Sequence, residues 1–418
     1  MKKIGLFLFG ICFALQMVAQ EQNYFTNPVI RGDVPDPSVI RIEDTYYATG
    51  TSSEWAPFYP MFTSKDLVNW KQVGHVFTKQ PSWTSNSFWA PELFYHNNKV
   101  YCYYTARQKS TGISYIGVAT SDSPLHEFTD HGPIVEYGKE AIDAFIYDDN
   151  GQLYISWKAY GLDTRPIELL GCKLSADGLH LDGEPFTLLV DEKGIGMEGQ
   201  YHFKEGDYYY IVYAAHGCCG PSSDYDVYVA RARNYGGPYE KYSGNPILHG
   251  GEGDYKSCGH GTVVRTSDGR MFYMCHAYLK GDGFFIGRQP ILQEMEMTDN
   301  HWVRFKTGNL AIAEQPIPFV GTKQEPLSDF EDNFKGNQLK VDWTWNYPYS
   351  DIHAVLKKGK LFLSGTPKNN NKYGTALCLR PQSPQYSCET KVMNTGKGLK
   401  GLTLYGDDKN LIAWGIEG

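Results

Sequence analysis

Between residues 27 and 320, apolar and polar positions alternate in short runs, each bounded by Gly, Asn, Asp or Glu. Alternation with a period of two predicts half-buried β-strands, and no stretch of this region carries the 3.6-residue spacing of an extended helix. One combination recurs, a polar turn followed by an aromatic, alternating strand. It stands at Glu43-Asp44-Thr45-Tyr46-Tyr47, Asn97-Asn98-Lys99-Val100-Tyr101, Asn150-Gly151-Gln152-Leu153-Tyr154, Glu205-Gly206-Asp207-Tyr208-Tyr209 and Asp268-Gly269-Arg270-Met271-Phe272. Measured between Tyr46, Tyr101, Tyr154, Tyr208 and Phe272, the steps are 55, 53, 54 and 64 residues. A repeat of about 50 residues built from short strands predicts a β-propeller, each repeat folding as one four-stranded blade around a central channel. Five repeats predict five blades. A large antiparallel sandwich also alternates and also turns at Asp-Gly, but nothing in a sandwich keeps its turns evenly spaced.

The pattern changes at both ends. Lys2 and Lys3 precede an apolar run at residues 4–18 that closes on Ala19 and Gln20, the layout of a cleavable secretory signal. No later run reaches the roughly 18 apolar residues of a spanning helix, so a secreted or periplasmic protein without a membrane span is expected. Pro316, Pro318 and Pro326 mark a linker. The expected organisation is a signal at 1–20, an all-β propeller at 21–320, a linker at 321–328 and a second all-β domain at 329–418. Strand candidates in the last part include Val341-Asp342-Trp343-Thr344-Trp345, Lys360-Leu361-Phe362-Leu363 and Leu402-Thr403-Leu404-Tyr405. With Leu411-Ile412-Ala413-Trp414 so near the last residue, an apolar edge strand is expected to lie exposed there.

Composition narrows the function. Lys+Arg 39 against Asp+Glu 47 gives a net charge of −8, which offers no cationic face for nucleic acid. Hydrophobic residues at 41% suffice for a packed core. Aromatic residues at 15%, with 31 Tyr and 9 Trp, favour β structure and surfaces that stack on sugar-like ligands. Of nine cysteines, Cys12 falls in the signal; the others match no zinc spacing, and their pairing stays open, the vicinal Cys218-Cys219 included.

Counting back ten to twelve residues from each repeat marker gives Asp36, Ala90, Asp143, Glu198 and His260. Equivalent positions of successive blades lie at one height along the channel, so three carboxyl groups and an imidazole are expected at one mouth. Taken singly, each has an ordinary role: Asp36 in Val34-Pro35-Asp36-Pro37 as a turn former, Asp143 as a strand cap, Glu198 as a loop acid, His260 as a hydrogen-bonded channel filler. Their coincidence in one slot points to glycoside hydrolysis, which needs one protonated acid and one ionised carboxylate facing a single sugar. Acids from opposite sides of a channel leave room for a water and favour inversion of configuration. Arg288 is a candidate for holding a sugar hydroxyl or carboxylate, or for a surface or inter-blade ion pair. Trp83, Phe88 and Trp89 are candidates for a sugar-stacking wall, with inter-blade packing as the commoner fate of such residues.

In these motifs the chain resembles glycoside hydrolase family 43, five-bladed propeller enzymes that include β-xylosidases, α-L-arabinofuranosidases and arabinanases. The resemblance rests on Val34-Pro35-Asp36-Pro37-Ser38-Val39, Trp89-Ala90-Pro91-Glu92, Ile142-Asp143 with Asp148-Asp149-Asn150-Gly151, Glu198-Gly199, Gly259-His260-Gly261 and Gly287-Arg288-Gln289. It implies that Asp36 is the general base, Asp143 the acid that orients and tunes the donor, and Glu198 the general acid. It further implies an arabinose- or xylose-containing glycan as substrate, Arg288 in the sugar subsite, no required cofactor, and His260 near a central water or metal ion, often calcium. Ala144 and Gln200 depart from the family pattern, where proline is frequent. The last domain is similar to the concanavalin-like β-sandwich that follows the propeller in xylosidase-type members, here shorter than usual, incomplete or cut short. Two rivals remain: a retaining invertase-type propeller, whose Asn-Asp-Pro-Asn, Arg-Asp-Pro and Glu-Cys signatures are absent, and a carbohydrate-binding propeller without catalysis.

Overall fold

Each polar-turn signal folds as the hairpin between the first two strands of a four-stranded antiparallel sheet, because its turn residues reverse the chain between two apolar runs. The computed structural model describes residues 23–161, 164, 166–393, 398–407 and 409–417; the expected signal at 1–20 lies outside them. The first blade orders Ser38–Ile42, Thr45–Thr49, Phe58–Ser64 and Lys71–Phe77 from the channel outward. The second uses Thr84–His96, Lys99–Gln108, Ser114–Ser121 and Thr129–Val135, and the third Ala141–Asp149, Gln152–Ala159, Glu168–Lys173 and Phe186–Val190. Glu198–Glu205, Tyr208–Ala215, Asp226–Ala232 and Glu240–Lys241 form the fourth, and Tyr255–Arg265, Met271–Leu279, Arg288–Met297 and Val303–Phe305 the fifth. The five first strands touch in a closed ring, the fifth against the first. Tyr24–Thr26 pairs antiparallel with Glu314–Pro316, tying the two ends of the propeller chain together. The fold is all-β; among the described residues the helical element is one 3-10 turn at Gly281–Ile286.

Second strands are covered on both faces, as in Tyr208–Ala215, where seven consecutive residues are buried, whereas outer strands such as Thr129–Val135 alternate with solvent. That burial explains the aromatic content. Tyr59, Tyr103, Tyr104, Trp157 and Tyr210 are among the largest fully buried side chains, filling the wedges between blades.

Each first strand, or the turn leading into it, contains a residue in the left-handed region: Asp36 (φ 54°), Ala90 (39°), Asp143 (59°), Gly199 (62°) and His260 (45°). In blades two to five the pairing register slips at this point, the mark of a β-bulge. Glu198 precedes the left-handed residue of its blade, one step from the position held by Asp143 and His260.

The tail differs from expectation. Val341 to Thr344 form no strand; Trp345–Asn346 instead pairs with Trp55–Ala56 of the first blade. The other candidates appear in two hairpins, Ser350–Leu356 with Leu361–Pro367 and Lys400–Tyr405 with Leu411–Ile416. Trp414 is exposed. Cys218 and Cys219 are joined as a vicinal disulfide, while Cys102, Cys172, Cys258 and Cys275 are buried thiols.

Close strand approach makes one glycine indispensable. A Cβ on Gly261, next to His260, would fall on the Met274 carbonyl oxygen and lie 2.6 Å from the Cys275 Cα, both on the paired strand. A Cβ on Gly74 would meet nothing within 4 Å. Gly261→Ala is therefore expected to cost about 1–3 kcal/mol and lower the melting temperature by several degrees, with Gly74→Ala near neutral. Differential scanning calorimetry of both variants checks this, and equal melting temperatures would refute it.

Candidate active site

A bulge withdraws one backbone N–H from the strand ladder, and here a polar side chain of the preceding blade accepts it. Asp36 N–H donates to His276 Nδ1 (3.1 Å), Ala90 to Thr51 Oγ1 (2.7 Å), Asp143 to Thr105 Oγ1 (3.2 Å) and Gly199 to Asp143 Oδ2 (3.1 Å). This cross-blade lacing brings Asp36, Asp143 and Glu198 together around His260. The His260 Nδ1 lies 3.4 Å from Asp36 Oδ1 and 3.7 Å from Asp143 Oδ2. A Cβ on Gly199 would stand 2.5 Å from the His260 ring, so only glycine lets the residue after Glu198 pack there.

The three carboxyls sit in different fields. Burial raises all three, and the surrounding donors decide the outcome. At Asp36 burial is outweighed by the Arg288 guanidinium, whose Nη1 is 3.5 Å away, with help from His260 and His276, and the carboxyl is held far below the usual range. Its Oδ2 accepts the Thr51 hydroxyl at 2.6 Å. His276, pushed down to about 4 chiefly by burial, is neutral near pH 7 and contributes a hydrogen-bonding nitrogen rather than a charge. Glu198 is held below its ordinary value although buried, because Lys158 Nζ lies 2.6 Å from Oε2 and the Tyr225 hydroxyl donates to Oε1 at 2.9 Å. Asp143 has no such cation in contact; burial pushes it up, His260 and Lys158 offset this in part, and the Glu198 charge adds to the rise. In the free site the proton shared by Asp143 and Glu198 therefore favours Asp143.

Arg288, only 14% exposed, makes an inter-blade ion pair with Asp36 at this cluster. Of the expected stacking wall, Trp89 is half-buried beside Ala90. Phe88 is fully buried, with its ring 4.1 Å from Phe58, in the core between the first two blades. Trp83 is half-buried and donates its indole N–H to the Tyr104 hydroxyl at 2.9 Å. Phe88 fills inter-blade space and has no face free for a sugar. Gln200, where proline was expected, donates through Nε2 to the Asp143 carbonyl at 2.6 Å, a tie that proline lacks.

A calcium ion takes six to eight oxygen ligands. Among the described residues no three His, Cys, Asp or Glu side chains are grouped to hold a metal, and the nearest carboxylates to His260 already face Thr51, Arg288 and the Gly199 amide. The side chains around His260 thus do not fit a protein-ligated calcium, and no chemical step is routed through one.

Thr51, Thr105, Lys158, Tyr225 and His276 escaped the count from the repeat markers. A signal exists for three of them: four residues beyond Tyr101, Tyr154 and Phe272 stand Thr105, Lys158 and His276. Each pairs with the residue just before the left-handed one of its own blade.

A sequence profile for glycosyl hydrolases family 43 matches residues 25–303, and one for the beta xylosidase C-terminal concanavalin A-like domain matches 331–418. A xylan 1,3-beta-xylosidase of Vibrio sp is 28% identical, over 91% of this chain and 76% of its own length. A non-reducing end alpha-L-arabinofuranosidase of Bacteroides ovatus is 28% identical over 98% of this chain and 78% of its own. An extracellular exo-alpha-(1->5)-L-arabinofuranosidase of Cellvibrio japonicus is 30% identical over 65% of this chain and 84% of its own. In three dimensions a thermostable family-43 glycoside hydrolase superposes with a TM-score of 0.60 at 28% identity, covering 73% of this chain and 98% of that one. The fold of a Bacillus licheniformis family-43 protein matches with a TM-score of 0.75 at 23% identity, over 93% and 78%. Since the profile runs from the ring-closing strand to the last strand of the fifth blade, the carboxylate cluster stands on that same framework, and the chain belongs to glycoside hydrolase family 43.

Proposed function

We propose that the protein is a secreted, inverting glycosidase that removes arabinofuranosyl or xylosyl residues from plant cell-wall polysaccharides or their fragments. Asp36 acts as general base, Glu198 as general acid, and Asp143 orients the donor and tunes its pKa. The observation that carries this reading is the convergence of the three carboxyls, each from a different blade and each in a different field, around His260. The names of the relatives support the sugar class, and the word extracellular in one of them, with the Lys2-Lys3 apolar segment, supports secretion.

The steps balance as follows. Asp36 takes a proton from a water that attacks the anomeric carbon, the bond from that carbon to the leaving oxygen breaks, and Glu198 protonates that oxygen. Asp36 ends protonated and Glu198 ionised, and exchange with solvent restores both. Because Asp143 Oδ2 holds the Gly199 amide, it fixes the backbone that carries Glu198. Arg288 keeps the base ionised and leaves its remaining N–H groups for sugar hydroxyls.

Three outcomes are expected. Proton NMR of the first-formed sugar shows the opposite anomer to that of the substrate; net retention would refute the inverting reading. Glu198→Ala lowers kcat/KM by about 10²–10⁴-fold on an unactivated disaccharide and far less on a 2,4-dinitrophenyl glycoside, whose leaving group departs without a proton. The third concerns pH. A base must be ionised, so activity falls as pH drops through the Asp36 pKa, and removing the Arg288 charge raises that pKa. Arg288→Met therefore moves the acidic limb of the kcat/KM profile upward by about one pH unit or more, beyond any loss of sugar binding, and an unmoved limb would argue against Asp36 as base.

A further inference from the structure

Opposite the residue before each left-handed position, the second strands of blades two to five carry Thr105, Lys158, Ala214 and His276. Thr105 and His276 each reach the next blade's left-handed residue with a neutral hydrogen-bonding atom. Lys158 places an ammonium there instead. Its side chain is 4% exposed and ends 2.6 Å from Glu198 Oε2. The Tyr225 hydroxyl, from the loop following Tyr208–Ala215, occupies Oε1. Both oxygens of the acid are therefore already accepting hydrogen bonds.

The two donors are not equivalent. A hydroxyl donates or accepts as its rotor turns, so Tyr225 can accept a hydrogen bond from a protonated Oε1 or turn away from it. An ammonium has three donors and no lone pair, so Lys158 can only donate. Whatever the state of Glu198, Oε2 remains the acceptor. We propose that Lys158 is a positioning residue that pins Oε2 of Glu198 and thereby assigns Oε1, on the Tyr225 side, as the oxygen that hands its proton to the leaving group. The inference rests on Glu198 being the general acid. The other groups that face this carboxyl are Asp143 from the third blade's inner strand and His260 from the fifth, and Glu140 adds negative charge near Lys158.

The geometry has two consequences. In the free enzyme the cation favours the ionised acid, so Glu198 carries its proton only up to a lower pH than an unpaired buried carboxyl would. Once protonated, the acid presents one oxygen rather than two interchangeable ones.

The test compares wild type, Lys158→Met, which keeps the stem without the charge, and Lys158→Thr, which installs the residue the second blade uses at this position. Each is assayed across pH on an unactivated disaccharide and on the matching 2,4-dinitrophenyl glycoside, with Glu198→Ala alongside and folding checked by circular dichroism. With the cation gone the Glu198 pKa rises, so the basic limb of kcat/KM on the disaccharide moves up by about one to three pH units in both variants. The fall in kcat on the disaccharide exceeds that on the aryl glycoside by about tenfold or more, because only the former needs the proton. A basic limb that stays in place in both folded variants, or equal losses on the two substrates, overturns the role given to Lys158 while leaving Glu198 as acid. Should Glu198→Ala itself lose as much on the aryl glycoside as on the disaccharide, the reading of Glu198 fails, and the inference falls with it.

Discussion

The propeller's chemistry depends on one backbone constraint repeated five times, the left-handed residue in or leading into each inner strand. Such a conformation costs an ordinary L-residue about 1–2 kcal/mol, and four of the five positions are not glycine. At four of the five it is supported by the blade before: the amides of Asp36, Ala90, Asp143 and Gly199 are bonded by His276, Thr51, Thr105 and Asp143. Polar satisfaction therefore runs from blade to blade, and the carboxylate cluster is a product of how the blades are laced, not an addition to a finished scaffold.

The same lacing separates three chemically similar groups. Burial acts on Asp36, Asp143 and Glu198 alike, raising each carboxyl's pKa. What distinguishes them is which cation or donor the adjacent strand delivers. Arg288 reaches Asp36, Lys158 reaches Glu198, and Asp143 receives a backbone amide and a shared imidazole. One site thus holds a firmly ionised carboxylate, Asp36, beside two carboxyls pushed in opposite directions, Asp143 up and Glu198 down.

The repeat itself was readable from sequence because turn residues and aromatic strands are local signals, and Tyr46, Tyr101, Tyr154, Tyr208 and Phe272 all fall in second strands. Asp36, Asp143 and His260 could be found by counting since the bulge recurs at nearly fixed distance from that turn. Glu198 sits one residue before its bulge, an offset of one that counting alone does not resolve. Lys158 stands at a fixed step beyond Tyr154, but its partner follows only from register across two strands, and Tyr225 comes from a loop that no repeat marker reaches. Phe88 shows the opposite error. A sequence gives an aromatic residue's position along a strand, while whether it points toward the channel or into the wedge between blades follows from the bulge beside it.

Phe88 also links the tail to the site. Its ring packs on Phe58, 4.1 Å away, and on Tyr347, 5.9 Å away, and the Tyr347 hydroxyl donates to the Ser85 carbonyl at 2.6 Å. Trp345–Asn346 pairs beside it with Trp55–Ala56. These contacts bear on the stretch of the second blade's inner strand that leads into Trp89 and Ala90. Because the Ala90 amide donates to Thr51 Oγ1, and the Thr51 hydroxyl donates to Asp36 Oδ2, residues 85–88 are tied within two hydrogen bonds to the Asp36 carboxyl. The segment after the propeller is in this sense part of the framework that holds Asp36. Phe88, expected to face sugar, is what connects the two.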